Sequence, residues 1–323
     1  MVLEDIKYIS MSWRYCSSKS FPKIFTQKSF LFLIHVKRRN FVKLSEEKSF
    51  HYKKTKKLKR DGIKYREIYK PDRELKFILK KINRKYLSKF DFPPFVHCGP
   101  RGKSIVTAAQ GHTEFSHHVS LDIESFFDRV TKKVTEETLI KIGVNKNIVE
   151  LISGIAIEDN RIPQGFPTSS SLSALVVSFV LQDFCLHFNK GEIIFSLYAD
   201  DILISSNNES LLKLAEKFID KQLWSIGLSL NSKKEVGKKG KKFKWLGLQI
   251  HPWISLPRKT MVDLQKRVYE YKTNGIIPED FKPKKRGQIK KQWEQSVKGK
   301  IVFAQSVSEN KLLEKILKKI SDT

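Results

Sequence analysis

Apolar positions along this chain switch repeatedly between two spacings. Tyr65-Arg66-Glu67-Ile68-Tyr69 alternates as a strand does, and the turn dipeptide Asp61-Gly62 just before it favours a hairpin. From Pro71-Asp72, a pair suited to opening a helix, Leu75, Ile78, Leu79, Ile82 and Tyr86 recur near every 3.6 residues. Further on, Val119 to Ile123 is a short β-rich run. Glu136 to Ile142 and Lys146 to Ile155 read as helices with Gly143 as the stop between them, and Ser170 to Phe188 reads as one mostly apolar, central helix. Two β-prone runs, Ile193 to Leu197 and Ile202 to Ser205, flank a sharp Asp-Asp turn. An amphipathic helix from Leu211 to Ile226 and a strand from Phe243 to Ile250 follow. Strands mixed with packed helices predict an α+β core. Residues 1–50 form a basic lead-in of weak periodicity, in which Phe30 to Val36 is too short to span a bilayer and reads as buried core. From Pro257 the pattern turns helical and basic, which places a domain boundary near Pro252 to Pro257.

Charge sharpens this picture. Among 323 residues, Lys and Arg outnumber Asp and Glu by 62 to 34, a net charge of +28. Such an excess costs self-repulsion and usually serves a polyanion, nucleic acid first and an anionic membrane second; a basic surface that only aids solubility is the plain alternative. The runs Lys53 to Arg60 and Lys282 to Lys291 are the densest, and each reads either as a backbone-tracking surface or as a solvated face. Cys16, Cys98 and Cys185 follow no metal or disulfide spacing, which suits a reducing cytoplasm, and the N-terminus has no signal-peptide pattern.

Three blocks carry chemistry. Tyr198-Ala199-Asp200-Asp201 sets two adjacent carboxylates at a hairpin tip. They form either a solvated acidic turn or a site for a divalent cation, since paired buried charges need a counter-charge. Leu121-Asp122-Ile123-Glu124-Ser125-Phe126-Phe127 puts an Asp at a strand end, where it caps a helix or joins Asp200 in a two-metal site. Between them, Ile162-Pro163-Gln164-Gly165-Phe166-Pro167-Thr168-Ser169 runs a Gly-bearing turn into a Ser-rich helix start, whose free N–H groups suit a base pair or phosphate. His112, His117 and His118 lie near Asp122 but read as structural, because hard cations take oxygen ligands; His97 and Cys98 read as incidental.

In this order and spacing the three blocks resemble the polymerase motifs of reverse transcriptases. Asn231-Ser232-Lys233-Lys234 is similar to the next motif, and Phe243-Lys244-Trp245-Leu246-Gly247 to the primer-grip strand. Arg66 through Pro71 and Gly99 through Ser104 are similar to fingers motifs, and Gly299 to Phe303 to the opening of a thumb helix. The resemblance spans roughly residues 60–310 and is nearest to compact bacterial enzymes, the retron type and related defence-associated types. Ala108 and Trp245-Leu246-Gly247 stand where retron enzymes tend to carry Asn and Val-Thr-Gly.

The resemblance implies a right-hand polymerase with a lead-in (1–50), fingers and palm (51–253) and a helical thumb (254–323). It implies an RNA-directed DNA polymerase using a pair of Mg²⁺ ions held by Asp122, Asp200, Asp201 and the Ile123 carbonyl. Arg66, Arg101 and Lys103 would grip the triphosphate, Phe127 would be an aromatic gate against the 2′-hydroxyl, and Gln164 and Gly165 would line the nascent base pair. The implied partners are an RNA template (a cognate non-coding RNA), a primer, dNTPs and the cDNA product, with an effector protein in bacterial antiviral defence and no membrane. The alternative is a catalytically degenerate RNA-binding protein on the same fold.

Overall fold

The computed structural model describes residues 23–58, 65–100, 102–188, 191–232, 235–237, 241–250, 253–275, 277, 281 and 289–307. The Asp61-Gly62 turn, Arg101, Cys16, Lys233-Lys234 and Lys282 to Arg286 lie outside these residues. The chain divides into two compact units, one of residues 1–108 and 117–236, the other of residues 109–116 and 237–323.

The first unit is built on an antiparallel sheet of β3 (His117–Asp122), β4 (Ile193–Tyr198), β5 (Asp201–Ser206) and the short β6 (Glu235–Gly237), in the order β4-β5-β3-β6. A separate hairpin pairs β1 (Tyr52–Leu58) with β2 (Tyr65–Pro71), from Tyr52↔Pro71 to Leu58↔Tyr65. The helices are α1 (Gln27–Leu33), α2 (Arg38–Glu46), α3 (Arg73–Lys85), α4 (Ile105–Gln110), α5 (Phe126–Arg129), α6 (Lys132–Lys141), α7 (Lys146–Ala156), α8 (Ser169–Val180), α9 (Phe184–His187) and α10 (Glu209–Trp224). Asp72 caps α3 as its sequence suggests, accepting from the Leu75 N–H at 2.9 Å. Leu75, Ile78, Leu79 and Ile82 are its buried stripe.

Residues 23–50 pack into the core, as the buried reading of Phe30 to Val36 expects. Phe30, Leu31, Ile34, Phe41 and Leu44 on α1 and α2 are buried, while Phe32 of the same apolar run is 79% exposed. Lys48 fixes this segment by donating from Nζ to the carbonyls of Gly154 (2.8 Å) and Ile157 at the end of α7, where a helix favours a cation. The expected helix from Ser170 to Phe188 is two, α8 and α9, separated at residues 181–183. Most side chains of α8 are buried, Ser169, Ser171, Ser173 and Ser178 among them. Residues Ser169–His187 have the length and apolarity to cross a membrane, but 61% of that stretch is buried inside the protein.

The second unit holds a three-stranded sheet of β7 (Phe243–Trp245), β8 (Leu248–Ile250) and β9 (Ile254–Ser255), then α11 (Arg258–Asn274) and α12 (Ile289–Val307). The single strand expected over Phe243 to Ile250 is a hairpin instead, because Leu246 and Gly247 both adopt positive φ (47° and 83°), the pattern of a type I′ turn. Gly299 lies inside α12 rather than at its start. Trp293, Val297, Ile301 and Ala304 form the buried stripe of that helix.

Candidate active site

Antiparallel pairing brings the acidic blocks to one end of the sheet. Asp122, the last residue of β3, lies opposite Asp201, the first of β5, and Asp201 also faces Tyr198 across the hairpin. The Ile123 N–H donates to the Asp200 carbonyl at 3.0 Å, which makes Asp122↔Asp201 a pair that exchanges no backbone bonds, the closer kind of cross-strand pair. Their side chains therefore share one face, with Asp200 at the turn beside them. Like charges directly opposite each other are destabilising, and all three carboxylates are only partly exposed.

The turn is strained. Ala199 and Asp200 form a two-residue loop whose first residue alone has positive φ (57°), the pattern of a type II′ turn that normally takes glycine there. An alanine in that region costs about 1–2 kcal/mol.

Two further residues steady the site, Asn231 from the Asn231-Ser232-Lys233-Lys234 motif and Cys98. Asn231 donates its backbone N–H to the Asp122 carbonyl at 2.7 Å and its side-chain amide to Asp122 Oδ2 at 3.3 Å. Cys98 lies beneath the hairpin tip. Residues 95–97 run parallel to β4, with the Leu197 N–H on the Phe95 carbonyl (2.8 Å) and the His97 N–H on the Leu197 carbonyl (2.9 Å). Burial pushes the Cys98 thiol pKa up, a bond from the Ala199 N–H works against that, and the Asp200 charge adds to it. His97, read as incidental, is buried against Thr107 with Nδ1 to Oγ1 at 3.0 Å; burial, then the nearby Lys103 charge, lowers its pKa to about 4. His118 is buried against Ser205 at 2.7 Å, and His112 is fully buried.

The remaining predicted residues fall into a second group. Gln164 accepts from the Tyr69 N–H through its backbone carbonyl at 2.8 Å, which docks the Pro-Gln-Gly turn on β2. Gly165 sits at φ +113°, and a Cβ there would meet the Tyr69 carbonyl oxygen at 2.5 Å, so this approach admits only glycine. Arg66 lies on β2 with its Nε buried and without a hydrogen-bond partner among the described residues. Phe127 is half-buried against the core, 5.2 Å from the Phe126 ring, on α5, which starts from Ser125 in the left-handed region (φ 49°). Among the described residues, Lys103 donates to the Pro94 carbonyl at 3.4 Å and makes no contact with the carboxylates. Ile123 has its side chain buried in the core, leaving only its backbone at the site.

Among the described residues no three His, Cys, Asp or Glu side chains form a ready-made cation cage. The donors at the sheet end are nevertheless all oxygens. That suits a hard cation such as Mg²⁺, which is commonly held by one or two carboxylates and completes its shell with water and substrate phosphates.

Comparison with known proteins identifies the family. Residues 38–250 match the family described as Reverse transcriptase (RNA-dependent DNA polymerase). The chain is 30% identical to the Retron Ec86 reverse transcriptase of Escherichia coli over 52% of this chain and 53% of that protein. It is 24% identical to the Retron Se72 reverse transcriptase of Salmonella heidelberg over 75% of this chain and 66% of that one. It thus spans between about half and two-thirds of the length of these relatives. Apo telomerase from Candida tropicalis matches at 16% identity and a TM-score of 0.36 over 42% of this chain and 31% of that one, a likeness too loose to carry weight.

Proposed function

The chain belongs to the reverse transcriptase family and has its α+β polymerase fold, and from that premise we propose that it is an RNA-directed DNA polymerase acting by two-metal nucleotidyl transfer. The observation that carries this reading is the pairing of Asp122 with Asp201 beside the Asp200 turn. Asp122, Asp200 and the Ile123 carbonyl would hold a pair of Mg²⁺ ions, with Asp201 as the weaker ligand. Bound there, the ions would supply the charge that lowers the pKa of a primer 3′-hydroxyl and steadies the departing pyrophosphate.

The protein's own contribution is positioning. Asn231 orients Asp122, Arg66 with Arg101 or Lys103 grips the triphosphate, Gln164 and Gly165 line the nascent pair, and Phe127 excludes a 2′-hydroxyl. Residues 51–253 would form fingers and palm, and 254–323 the thumb, with residues 1–50 leading in. Primer extension on a homopolymer RNA template with Mg²⁺ tests the reading. Asp122→Ala and Asp200→Ala should abolish nucleotide addition while RNA binding persists, and Phe127→Val should raise ribonucleotide incorporation. A parent protein that binds RNA but never extends a primer would instead be a degenerate RNA-binding member of the fold.

The retron relatives support a narrower reading. A structured non-coding RNA encoded nearby serves as template, the cDNA acts locally or passes to an effector protein in antiviral defence, and the enzyme works in the cytoplasm, away from membranes. Expressing the gene with its flanking region tests this. DNA released by debranching enzyme marks a retron and unbranched DNA another defence-associated type. Absence of both cDNA and phage protection refutes the defence role.

A further inference from the structure

Residues 158–161 turn back on themselves. Glu158 and Arg161 exchange backbone bonds of 3.1 and 2.9 Å, with Asp159 and Asn160 both at positive φ (47° and 59°), the type I′ pattern that these two residue types tolerate. The arm of this turn is tied to the segment after α5. Lys132 N–H donates to the Asn160 carbonyl at 3.0 Å, and Ile162 N–H to the Val130 carbonyl at 3.2 Å. The Arg161 backbone is thereby fixed, and its side chain lies between α5 and β2.

Both Nη atoms of the guanidinium are engaged, while its Nε is buried without a hydrogen-bond partner among the described residues. Nη1 donates to Asp128 at 3.0 Å, and Nη2 donates to Glu67 at 2.7 Å and to the Tyr69 hydroxyl at 3.3 Å. Its side chain is 27% exposed. The Tyr69 hydroxyl donates to Asp159 at 2.8 Å, and Lys54 Nζ reaches the same carboxylate at 2.6 Å, which closes the network over the β1–β2 hairpin. Asp128 directly follows Phe127, Glu67 directly follows Arg66, and Gln164 stands three residues beyond Arg161. Side chains alternate along a strand, so Glu67 and Tyr69 share the face that Arg161 holds, while Arg66 and Ile68 share the other. That other face is the one against the Pro-Gln-Gly turn, since a Gly165 Cβ would lie 3.1 Å from Ile68 Cγ2. Holding Glu67 and Tyr69 therefore sets the direction in which Arg66 leaves the strand.

We infer that Arg161 is a positioning residue that fixes the sugar gate, Phe127, against the triphosphate grip, Arg66, and so sets nucleotide affinity and sugar selection together. This rests on the roles proposed above for those two residues. The task calls for a planar fork with several donors. A lysine, a single point of charge, can serve one arm and not both.

Steady-state primer extension with matched deoxy- and ribonucleotides tests the inference, on variants first shown to be folded. Arg161→Met should raise the KM for dNTP about ten-fold, the scale of one charge-assisted hydrogen bond, with a smaller change in kcat and a higher ribonucleotide share. Arg161→Lys should recover part of the loss. Single-arm variants divide the effect: Glu67→Gln should act mainly on KM, and Asp128→Asn mainly on the sugar ratio. If Arg161→Met does not fold, these two variants carry the test. An active parent whose folded variants leave KM and the sugar ratio within two-fold overturns the inference alone. A parent without nucleotide addition overturns the polymerase reading and the inference with it.

Discussion

Replacing Gly165 with alanine is the sharpest test of how the Pro-Gln-Gly turn is docked. The residue sits at φ +113°, and the added Cβ would come within 2.5 Å of the Tyr69 carbonyl oxygen and 3.1 Å of Ile68 Cγ2. The first neighbour is backbone, and it cannot swing away because the Tyr69 N–H is bonded to the Gln164 carbonyl at 2.8 Å. Backbone strain of this kind costs about 1–3 kcal/mol, and forcing a methyl group into a filled site costs about 1–3 kcal/mol more. A total of about 2–6 kcal/mol is expected. Gly227 supplies the control: it also has positive φ (78°) but nothing within 4 Å of a built Cβ, so Gly227→Ala should cost only about 1–2 kcal/mol. Urea unfolding of the two variants, with equal m-values, reads the difference directly. If Gly165→Ala is no worse than Gly227→Ala, the close approach of turn to strand is wrong, and with it the argument that this position admits only glycine.

Four further outcomes follow from the same geometry. Ala199→Gly should raise stability by about 1 kcal/mol by relieving its positive φ, and a lower urea midpoint would contradict the strained turn. Asp201→Asn should abolish nucleotide addition yet stabilise the metal-free protein by up to about 1 kcal/mol, because it removes a like-charge pair across the sheet; a destabilised variant would speak against that repulsion. Because His97 titrates near 4 when folded and near 6.5 when unfolded, the unfolded chain binds the extra proton between those values. Stability should therefore fall on acidification through that window by up to about 3 kcal/mol, and His97→Gln should flatten that part of a pH-stability profile. With a net charge of +28, the logarithm of RNA affinity should drop by about 0.7–0.9 per neutralised phosphate for each log unit of salt, and a slope worth only one or two contacts would remove the basic surface from the footprint.

Much of the carboxylate site is legible along the chain because its signals are local. β-Prone apolar runs on both sides of Asp200-Asp201 announce a hairpin, and a β-rich run ending at Asp122 announces the neighbouring strand. What escaped is either long-range or conformational. Asn231 meets Asp122, and Cys98 meets Ala199, across about a hundred residues, and nothing in their immediate sequence marks the meeting. Leu246 breaks an apparently continuous strand by adopting a φ of 47°, which leucine seldom does, so residue type gives little warning. The single helix expected from Ser170 fails for a related reason: burial of most of its side chains leaves no periodic stripe that would show where α8 ends. The burial of Phe30 to Val36 is legible, but the anchoring of this segment by Lys48 on the end of α7 is long-range.

The pairing of Asp122 with Asp201 also governs where this chain tolerates added length. Shifting β5 by one residue against β3 would send every side chain to the opposite face, and the two-residue loop at Ala199-Asp200 leaves no slack to absorb such a shift. Insertions in β3, in β5 or in that loop should therefore silence the protein even when it folds. A library of random insertions should show a sheet end that loses activity at β3, at β5 and at the loop between β4 and β5.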